Sequence, residues 1–136
     1  MNPKMKAFFE KIISTNGIVA PISCDQSFSQ NFTGAIKVEW SKTDNCYEAV
    51  FYLNNLEHIA IFSLDGLLIE YRMILPDGYL PEQIKNKLED MGEIMNKILI
   101  NKGNSLIYEI IVRDKNLVRS LVLMTDLGVV IEEKRL

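Results

Sequence analysis

The chain has 136 residues, of which 48% are hydrophobic and 24% are charged, and its net charge is −3. This length and composition are typical of a globular domain with a core of its own, and the acidic balance argues against nucleic acid as the main partner. The sequence has no run of about 18 apolar residues, so no helix is predicted to cross a membrane.

The first predicted element is an amphipathic helix over residues 3–14. Its apolar residues recur at helical spacing: Met5, Phe8, Phe9, Ile12 and Ile13. The same end of the chain also resembles a bacterial lipoprotein leader that stops at Cys24. Glu10 and Lys11 interrupt the apolar region that such a leader needs, so the helix is the preferred interpretation.

A second helix is predicted over Pro21–Phe32, and a strand with alternating apolar residues over Ala35–Trp40. Tyr47–Arg72 then predicts three short strands. The pairs Asn54-Asn55 and Asp65-Gly66 separate them, and these residue types tolerate the positive φ of two-residue hairpin turns.

The second half of the chain repeats this order of features. A helix opened by Pro81 is predicted to continue as far as Ile98, because its apolar residues keep helical spacing. Tyr108–Lys134 then resembles the stretch from Tyr47 to Arg72, with Leu127 as an added residue before Gly128. Two tandem repeats, about 21–75 and 80–134, are therefore predicted.

The predicted fold class is α+β, a single domain over residues 1–136. Each repeat contributes a helix and an antiparallel meander, and the meanders form one curved sheet with the helices packed on one face. The assumed turns place Phe62 opposite Ile69 and make one sheet face almost wholly apolar. Its predicted members include Trp40, Ala49, Phe51, His58, Ala60, Phe62, Ile69, Tyr71, Leu106, Tyr108, Ile110, Leu117, Leu121, Leu123 and Ile131.

The opposite face, the open face, mixes charged residues with branched aliphatic ones. This is more apolar than a fully solvated sheet surface needs to be. It is explained by cover from the N-terminal helix, by a partner or second copy of the chain, or by a tolerated patchy surface. The candidate contacts on it are Tyr52, Ile59, Ile61, Arg72, Ile111 and Met124.

The pattern resembles the PepSY-like family of small bacterial proteins, which is related in fold to the secreted β-lactamase inhibitor protein. The motifs that carry the resemblance are Pro21, Phe32-Thr33-Gly34-Ala35, Val38-Glu39-Trp40, Tyr47-Glu48-Ala49, Leu64-Asp65-Gly66-Leu67-Leu68, Leu80-Pro81, Tyr108-Glu109 and Asp126-Leu127-Gly128. The resemblance implies an open sheet face with helices behind it, and a periplasmic or extracellular setting with a cytoplasmic one as the alternative. No motif matches the contact residues of the inhibitor, so inhibition of β-lactamase is not implied.

No catalytic, cofactor or metal motif is present in the sequence. His58 is the only histidine, and it is predicted to face the core. Cys24 and Cys46 are too few for a disulfide framework and are interpreted as two unpaired thiols. The expected function is therefore a non-enzymatic protein-binding or inhibitor-like module without cofactor. One alternative is a small-ligand carrier or enzyme with a pocket between the sheet and the helices that involves His58 or Cys46. The other is a structural homodimer.

Overall fold

The computed structural model describes residues 18–136, and the helix predicted over residues 3–14 lies outside this range. The described elements are α1 (Ile22–Asn31), β1 (Ile36–Lys42), β2 (Cys46–Leu53), β3 (Leu56–Ser63), β4 (Leu68–Ile74), α2 (Glu82–Glu89), β5 (Glu93–Lys102), β6 (Ser105–Arg113), β7 (Arg119–Thr125) and β8 (Val130–Arg135). The strands follow chain order in an eight-stranded sheet, which confirms the predicted α+β class. No helix among the described residues is long and apolar enough to span a membrane.

The chain divides into two units, Met1–Met73 and Ile74–Leu136. Within the described residues, each unit has a helix followed by antiparallel strands in the same order. The tandem repeat behind this order stays a prediction from the sequence.

The core of unit 1 forms where α1 packs on strands β1 to β3. Phe28 of the helix is 4.8 Å from Phe51 and 5.6 Å from Trp40, measured between ring centroids. Phe51 and Phe62 are fully buried, as the sequence predicts. The turn at Asn54-Asn55 has two residues with positive φ, and it pairs Leu53 with Leu56 as predicted.

The next turn of unit 1 differs from the prediction by one residue. The amide of Gly66 donates to the carbonyl of Ser63 at 3.0 Å, and Gly66 has a φ of 93°. These features belong to a three-residue turn with a glycine bulge. Phe62 therefore lies opposite Leu68, which packs on the core, whereas Ile69 is 42% exposed.

In unit 2, the helix predicted to reach Ile98 is wrong in its second half. Helix α2 ends at Glu89, after Ile84 and Leu88 have filled its buried side. Gly92 follows with a φ of 151°, and β5 begins at Glu93. The spacing of the apolar residues from Ile94 onward is compatible with the period of a helix and with that of a strand. Their branched side chains favour the strand.

The turn between β6 and β7 contains the one residue by which the second half of the chain is longer than the first. It has three residues, Lys115 to Leu117, closed by a hydrogen bond of 3.0 Å from the amide of Asp114 to the carbonyl of Val118. The equivalent turn of unit 1 has two residues. The turn that contains Leu127 closes between Thr125 and Val129 with the same hydrogen bonds as the turn at Gly66, so the predicted insertion at Leu127 is wrong.

This extra residue reverses the facing of β7. Val122 and Met124 pair with Ile110 and Tyr108, and both are fully buried. A shift of one residue moves every side chain of a strand to the other face. The predicted inward positions Leu121 and Leu123 therefore lie on the other side of the sheet. The predicted inward residues Leu106, Leu117 and Ile131 are exposed.

Leu117 carries the strain of this turn, and its replacement by asparagine is expected to stabilise the protein. Its φ is 64° and its side chain is 70% exposed, so little burial is lost. A left-handed conformation costs a leucine about 1–2 kcal/mol, whereas asparagine adopts it readily. In urea unfolding, the free energy of unfolding of Leu117→Asn should be higher than that of the wild type by about 0.5–1 kcal/mol.

The control is Leu127→Asn, an exposed leucine in the following turn without a positive φ. The same gain in both variants would show that backbone strain at Leu117 is not the cause.

Candidate protein-binding face

The register of unit 1 defines the part of the open face that lies away from α1. Val50, Ile59 and Arg72 are neighbours across β2, β3 and β4, because Val50 pairs with Ile59 and Ile59 with Arg72. The pairs Glu48–Ile61 and Ile61–Glu70 lie on the same face, as does the pair Tyr52–Glu57. We call these eight residues the open face of unit 1: Glu48, Val50, Tyr52, Glu57, Ile59, Ile61, Glu70 and Arg72.

The six predicted contact residues have very different exposures. Tyr52 is 37% exposed, and Ile61 and Arg72 are half-buried, so these three are available on the open face of unit 1. Ile59 is on the same face but is only 2% exposed.

The two candidates in unit 2 do not offer a free surface. Ile111 is 4% exposed. Met124 shares a face with Tyr108 and is fully buried, so its predicted place on the open face is wrong. The cause is the extra residue in the turn before β7. The alignment of the two halves of the sequence placed this extra residue at Leu127 instead.

The polar groups of the open face of unit 1 are paired with one another. The Tyr52 hydroxyl donates to Glu57 Oε1 at 3.4 Å, and Arg72 Nε donates to Glu70 Oε2 at 2.7 Å. Burial raises the pKa of Glu57 above its ordinary value, although the hydrogen bond from Tyr52 lowers it in part. The charge of Glu57 raises the pKa of Tyr52. The result is an apolar centre edged by a tyrosine, an arginine and several carboxylates.

His58 belongs to the core of unit 1. Its ring stacks on Phe51 with centroids 5.2 Å apart and an interplanar angle of 15°. The side chain is 6% exposed, and within the described part of the chain Nδ1 has no hydrogen-bond partner. A general base must reach a substrate proton, so this position suits a structural histidine.

Acidification is expected to destabilise the protein through His58. Burial holds the pKa of His58 below its ordinary value of 6.5, against a smaller opposing effect of a hydrogen bond with the Leu53 backbone. The unfolded chain then binds a proton that the folded chain does not. The stability present above about pH 6.5 is therefore lost as the pH falls through the folded-state pKa.

Urea unfolding at about pH 7.5 and about pH 5.5 measures this loss. The variant His58→Gln should lose less free energy over the same interval, since it has no titrating ring. The titration of Glu57 is common to both proteins and cancels in the comparison. Equal losses in the two proteins would assign the effect to another group.

The two cysteines are free and lie on opposite sides of the sheet. Cys24 of α1 is fully buried and its thiol donates to the carbonyl of Ser63 at 3.6 Å. Burial raises the pKa of this thiol, and a hydrogen bond with Ser23 opposes the shift in part. Cys46 Sγ is 2.8 Å from Thr43 Oγ1 and 3.8 Å from Glu48 Oε1, on the side of the open face. The expected pair of unpaired thiols agrees with this arrangement.

Sequence reasoning missed a cleft of about 370 Å³ in unit 2. Lys97 Nζ donates to Asp77 Oδ1 at its edge, and this contact lowers the pKa of Asp77. The cleft is lined by Asp77, Gly78, Leu80, Glu82, Lys85, Ile94 and Lys97. The sequence signal was hidden because Lys97 and Ile94 were assigned to a helix, where they do not face the loop at Asp77. Neither His58 nor Cys46 lines this cleft.

No metal site is found in the part of the chain that the structure describes, since no three His, Cys, Asp or Glu side chains of residues 18–136 are grouped to hold an ion. The described chemistry of both units is therefore that of paired charges, an apolar patch and a small cleft.

No protein-family model matches the chain, and no curated protein does. Solved structures match it over most of their length. A BLIP-like protein from Bacteroides fragilis superposes with a TM-score of 0.79 at 12% identity, covering 90% of this chain and 91% of that one. A DUF2874 family protein from Bacteroides ovatus has a TM-score of 0.78 at 19% identity, with 88% and 89% covered.

A candidate periplasmic protein from Bacteroides eggerthii gives a TM-score of 0.78 at 19% identity, with 87% of this chain and 90% of that one covered. Identities this low carry the fold and not the function. The chain therefore has a BLIP-like α+β fold.

Proposed function

We propose that this chain is a non-enzymatic protein-binding module of the PepSY-like kind, and that the open face of unit 1 is its binding surface. The observation that carries the proposal is the composition of that face, which presents exposed Tyr52 together with half-buried Ile61 and Arg72. Tyrosine and arginine are among the residue types most enriched where binding energy concentrates. Ile61 adds a partly accessible apolar side chain in the next row of the same face, where it pairs with Glu48 and Glu70.

The carboxylates around this centre fit it for a protein partner with cationic groups. Glu57 and Glu70 lie beside Tyr52 and Arg72, so a partner that brings a lysine or arginine gains charge complementarity at the rim. The BLIP-like fold supports the proposal, because the inhibitor that gives the fold its name also uses its sheet to hold a protein. We place the protein in the periplasm or outside the cell, in line with the candidate periplasmic neighbour.

Capture of a partner from the native envelope fraction tests the proposal. The immobilised protein is compared with the double variant Tyr52→Asp/Ile61→Asp, which adds charge to the centre of the face. Capture should fall by at least about tenfold, since burial of two such side chains is worth more than the 1.4 kcal/mol that corresponds to tenfold.

Leu67→Asp is the matched control. Leu67 is 70% exposed in the turn before β4 and does not belong to the open face of unit 1. Capture that survives in the double variant, or that is lost equally in the control, contradicts the proposal. Light scattering on the same samples shows whether the captured protein is a second copy of the chain, as the homodimer alternative requires.

The cleft of unit 2 favours one alternative function, the binding of a small ligand. It combines the apolar side chains of Leu80 and Ile94 with the charged groups of Lys85 and Glu82, a combination that suits a small zwitterion with an apolar part. A panel of metabolites should then raise the melting temperature of the wild type and leave Lys85→Ala unchanged. The same shift in both proteins would contradict binding in this cleft.

A further inference from the structure

One corner of unit 2 gathers basic side chains that are far apart in the sequence. The register places Arg113 of β6 opposite Arg119 of β7, and β8 brings Arg135 and Lys134 into the next two rows. Arg113 is half-buried and the others are exposed. We call five residues at and beside the turn between β6 and β7 the basic corner: Arg113, Lys115, Arg119, Lys134 and Arg135.

The acidic side chains in these rows do not neutralise the basic corner. Glu93 accepts a hydrogen bond of 2.8 Å from the guanidinium of Arg113. The Asp114 carboxylate accepts two amides of the turn at 2.8 and 3.0 Å. Glu133 and Glu132 follow only in the two rows beyond. Within residues 18–136, the other four members of the basic corner make no ion pair, although the net charge of the chain is −3.

Two features of the basic corner are unfavourable for stability. Arg113 and Arg119 are like charges directly opposite each other on adjacent strands, an arrangement that destabilises a sheet. Between them, the turn holds Leu117 at a φ of 64° with 70% of its side chain exposed, so the strained leucine gains little burial in return. Both features fall within residues 113–119. Strain that brings no packing of its own indicates a role for this surface in binding.

The surface of an anionic membrane fits this combination of groups. Each cation close to such a surface is attracted by the negative potential of the lipid headgroups, and an exposed leucine can enter the boundary between headgroups and acyl chains. Lys115 and Leu117 lie in the turn at the end of the β6–β7 hairpin, so they can reach a surface ahead of the strands. A soluble acidic chain offers the same charge but no apolar layer for Leu117.

We propose that the basic corner docks this protein on an anionic membrane surface, with its cations at the lipid phosphates and Leu117 in the apolar layer beneath them. The docking is peripheral and reversible, because it depends on a few charges and one buried side chain. It concerns unit 2 and does not rest on the proposed function, whose binding surface belongs to unit 1.

Sedimentation of the full chain with lipid vesicles tests the role of the cations. Vesicles with about 30% phosphatidylglycerol in phosphatidylcholine should bind the protein, and more salt should weaken the binding. Phosphatidylcholine alone should not bind it. Arg119→Ala/Lys134→Ala should bind about thirtyfold less tightly, since each cation near the surface is worth about fivefold. Lys85→Ala/Lys102→Ala is the matched control, because it removes the same charge from exposed lysines outside the basic corner.

The role of the leucine is tested with the two turn variants already compared for stability. Leu117→Asn is expected to be more stable than the wild type, so weaker binding by this variant does not come from unfolding. Its affinity for the anionic vesicles should fall by about tenfold, because the apolar contact is lost. Leu127→Asn should bind as the wild type does, since Leu127 is equally exposed but lies in the following turn.

Four results overturn the proposal: no binding to the anionic vesicles, full binding by Arg119→Ala/Lys134→Ala, equal losses in the two double variants, or unchanged binding by Leu117→Asn. Equal losses would show an effect of net charge alone. Unchanged binding by Leu117→Asn, together with equally tight binding to soluble polyglutamate, would assign the basic corner to an acidic protein chain. The vesicles contain no protein, so their outcome is independent of partner capture.

Discussion

Replacement of Phe51 by alanine is expected to lower the free energy of unfolding by about 4 kcal/mol. Phe51 is fully buried, and its ring centroid is 4.8 Å from Phe28, 4.8 Å from Phe32 and 5.2 Å from His58. The substitution removes this burial and leaves a cavity between α1 and the strands. Both losses act in the same direction.

The chain contains its own reporter for this measurement. Trp40 is the only tryptophan, and its ring centroid is 5.5 Å from that of Phe62, so fluorescence during urea unfolding follows the same cluster. Tyr52→Ala is the matched control, because Tyr52 is the next residue, points to the opposite face and is 37% exposed. We expect a loss below about 1 kcal/mol for it. Equal losses would place Phe51 outside the core.

The substitution Gly92→Ala is expected to lower the free energy of unfolding by about 3 kcal/mol, because crowding and backbone strain act together. An added Cβ would be 2.4 Å from the carbonyl oxygen of Arg113 and 2.8 Å from its carbonyl carbon, which is backbone of β6. The φ of 151° is also one that side-chain-bearing residues rarely adopt. The first pair of β5 with β6, Glu93 with Arg113, lies directly at this contact.

Gly103→Ala separates strain from crowding. Gly103 has a φ of 64°, but nothing lies within 4 Å of the position of an added Cβ. The substitution Gly103→Ala should therefore lower the free energy of unfolding by only about 1 kcal/mol, measured by thermal unfolding with circular dichroism. A similar loss at both glycines would show that the contact with Arg113 carries no energy.

The fold of unit 1 could be predicted because its turns are encoded locally. Asn54 and Asn55 both adopt positive φ, and this fixes the register that buries Phe51. The glycine bulge at Gly66 was less visible, since an Asp-Gly pair also suits a two-residue turn. This single ambiguity exchanged Leu68 for Ile69 in the predicted core.

In unit 2, the end of α2 and the turn before β7 were both predicted wrongly from local sequence patterns. The stretch from Ile94 to Ile98 fits a helix by spacing, although α2 ends at Glu89 and Gly92 follows with a φ of 151°. A glycine just past a helix is a local stop signal, but the apolar spacing on both sides of Gly92 outweighed it in the prediction. The turn before β7 has no such signal, because leucine rarely adopts the left-handed conformation that Leu117 has there.

The candidate site was predicted in part for the same reasons. Tyr52 and Ile61 follow from the first hairpin, and Arg72 follows from the second, whose register beyond the bulge pairs Ile59 with Arg72. All three lie where the pattern places them. Met124 failed because its position depends on the turn at Leu117. Alternation along a strand predicts the sheet face on which Ile59 and Ile111 lie. It does not predict how deeply they are buried, because burial depends on what packs against that face.

The turn at Gly66 is closed against α1, because a Cβ there would lie 2.8 Å from the backbone of Ser23. Surface engineering must leave this hairpin tip at its native length, as an added residue would push into the helix start. The tip at Gly103 has open space around it, so it can accept a grafted peptide, a dye or an immobilisation handle.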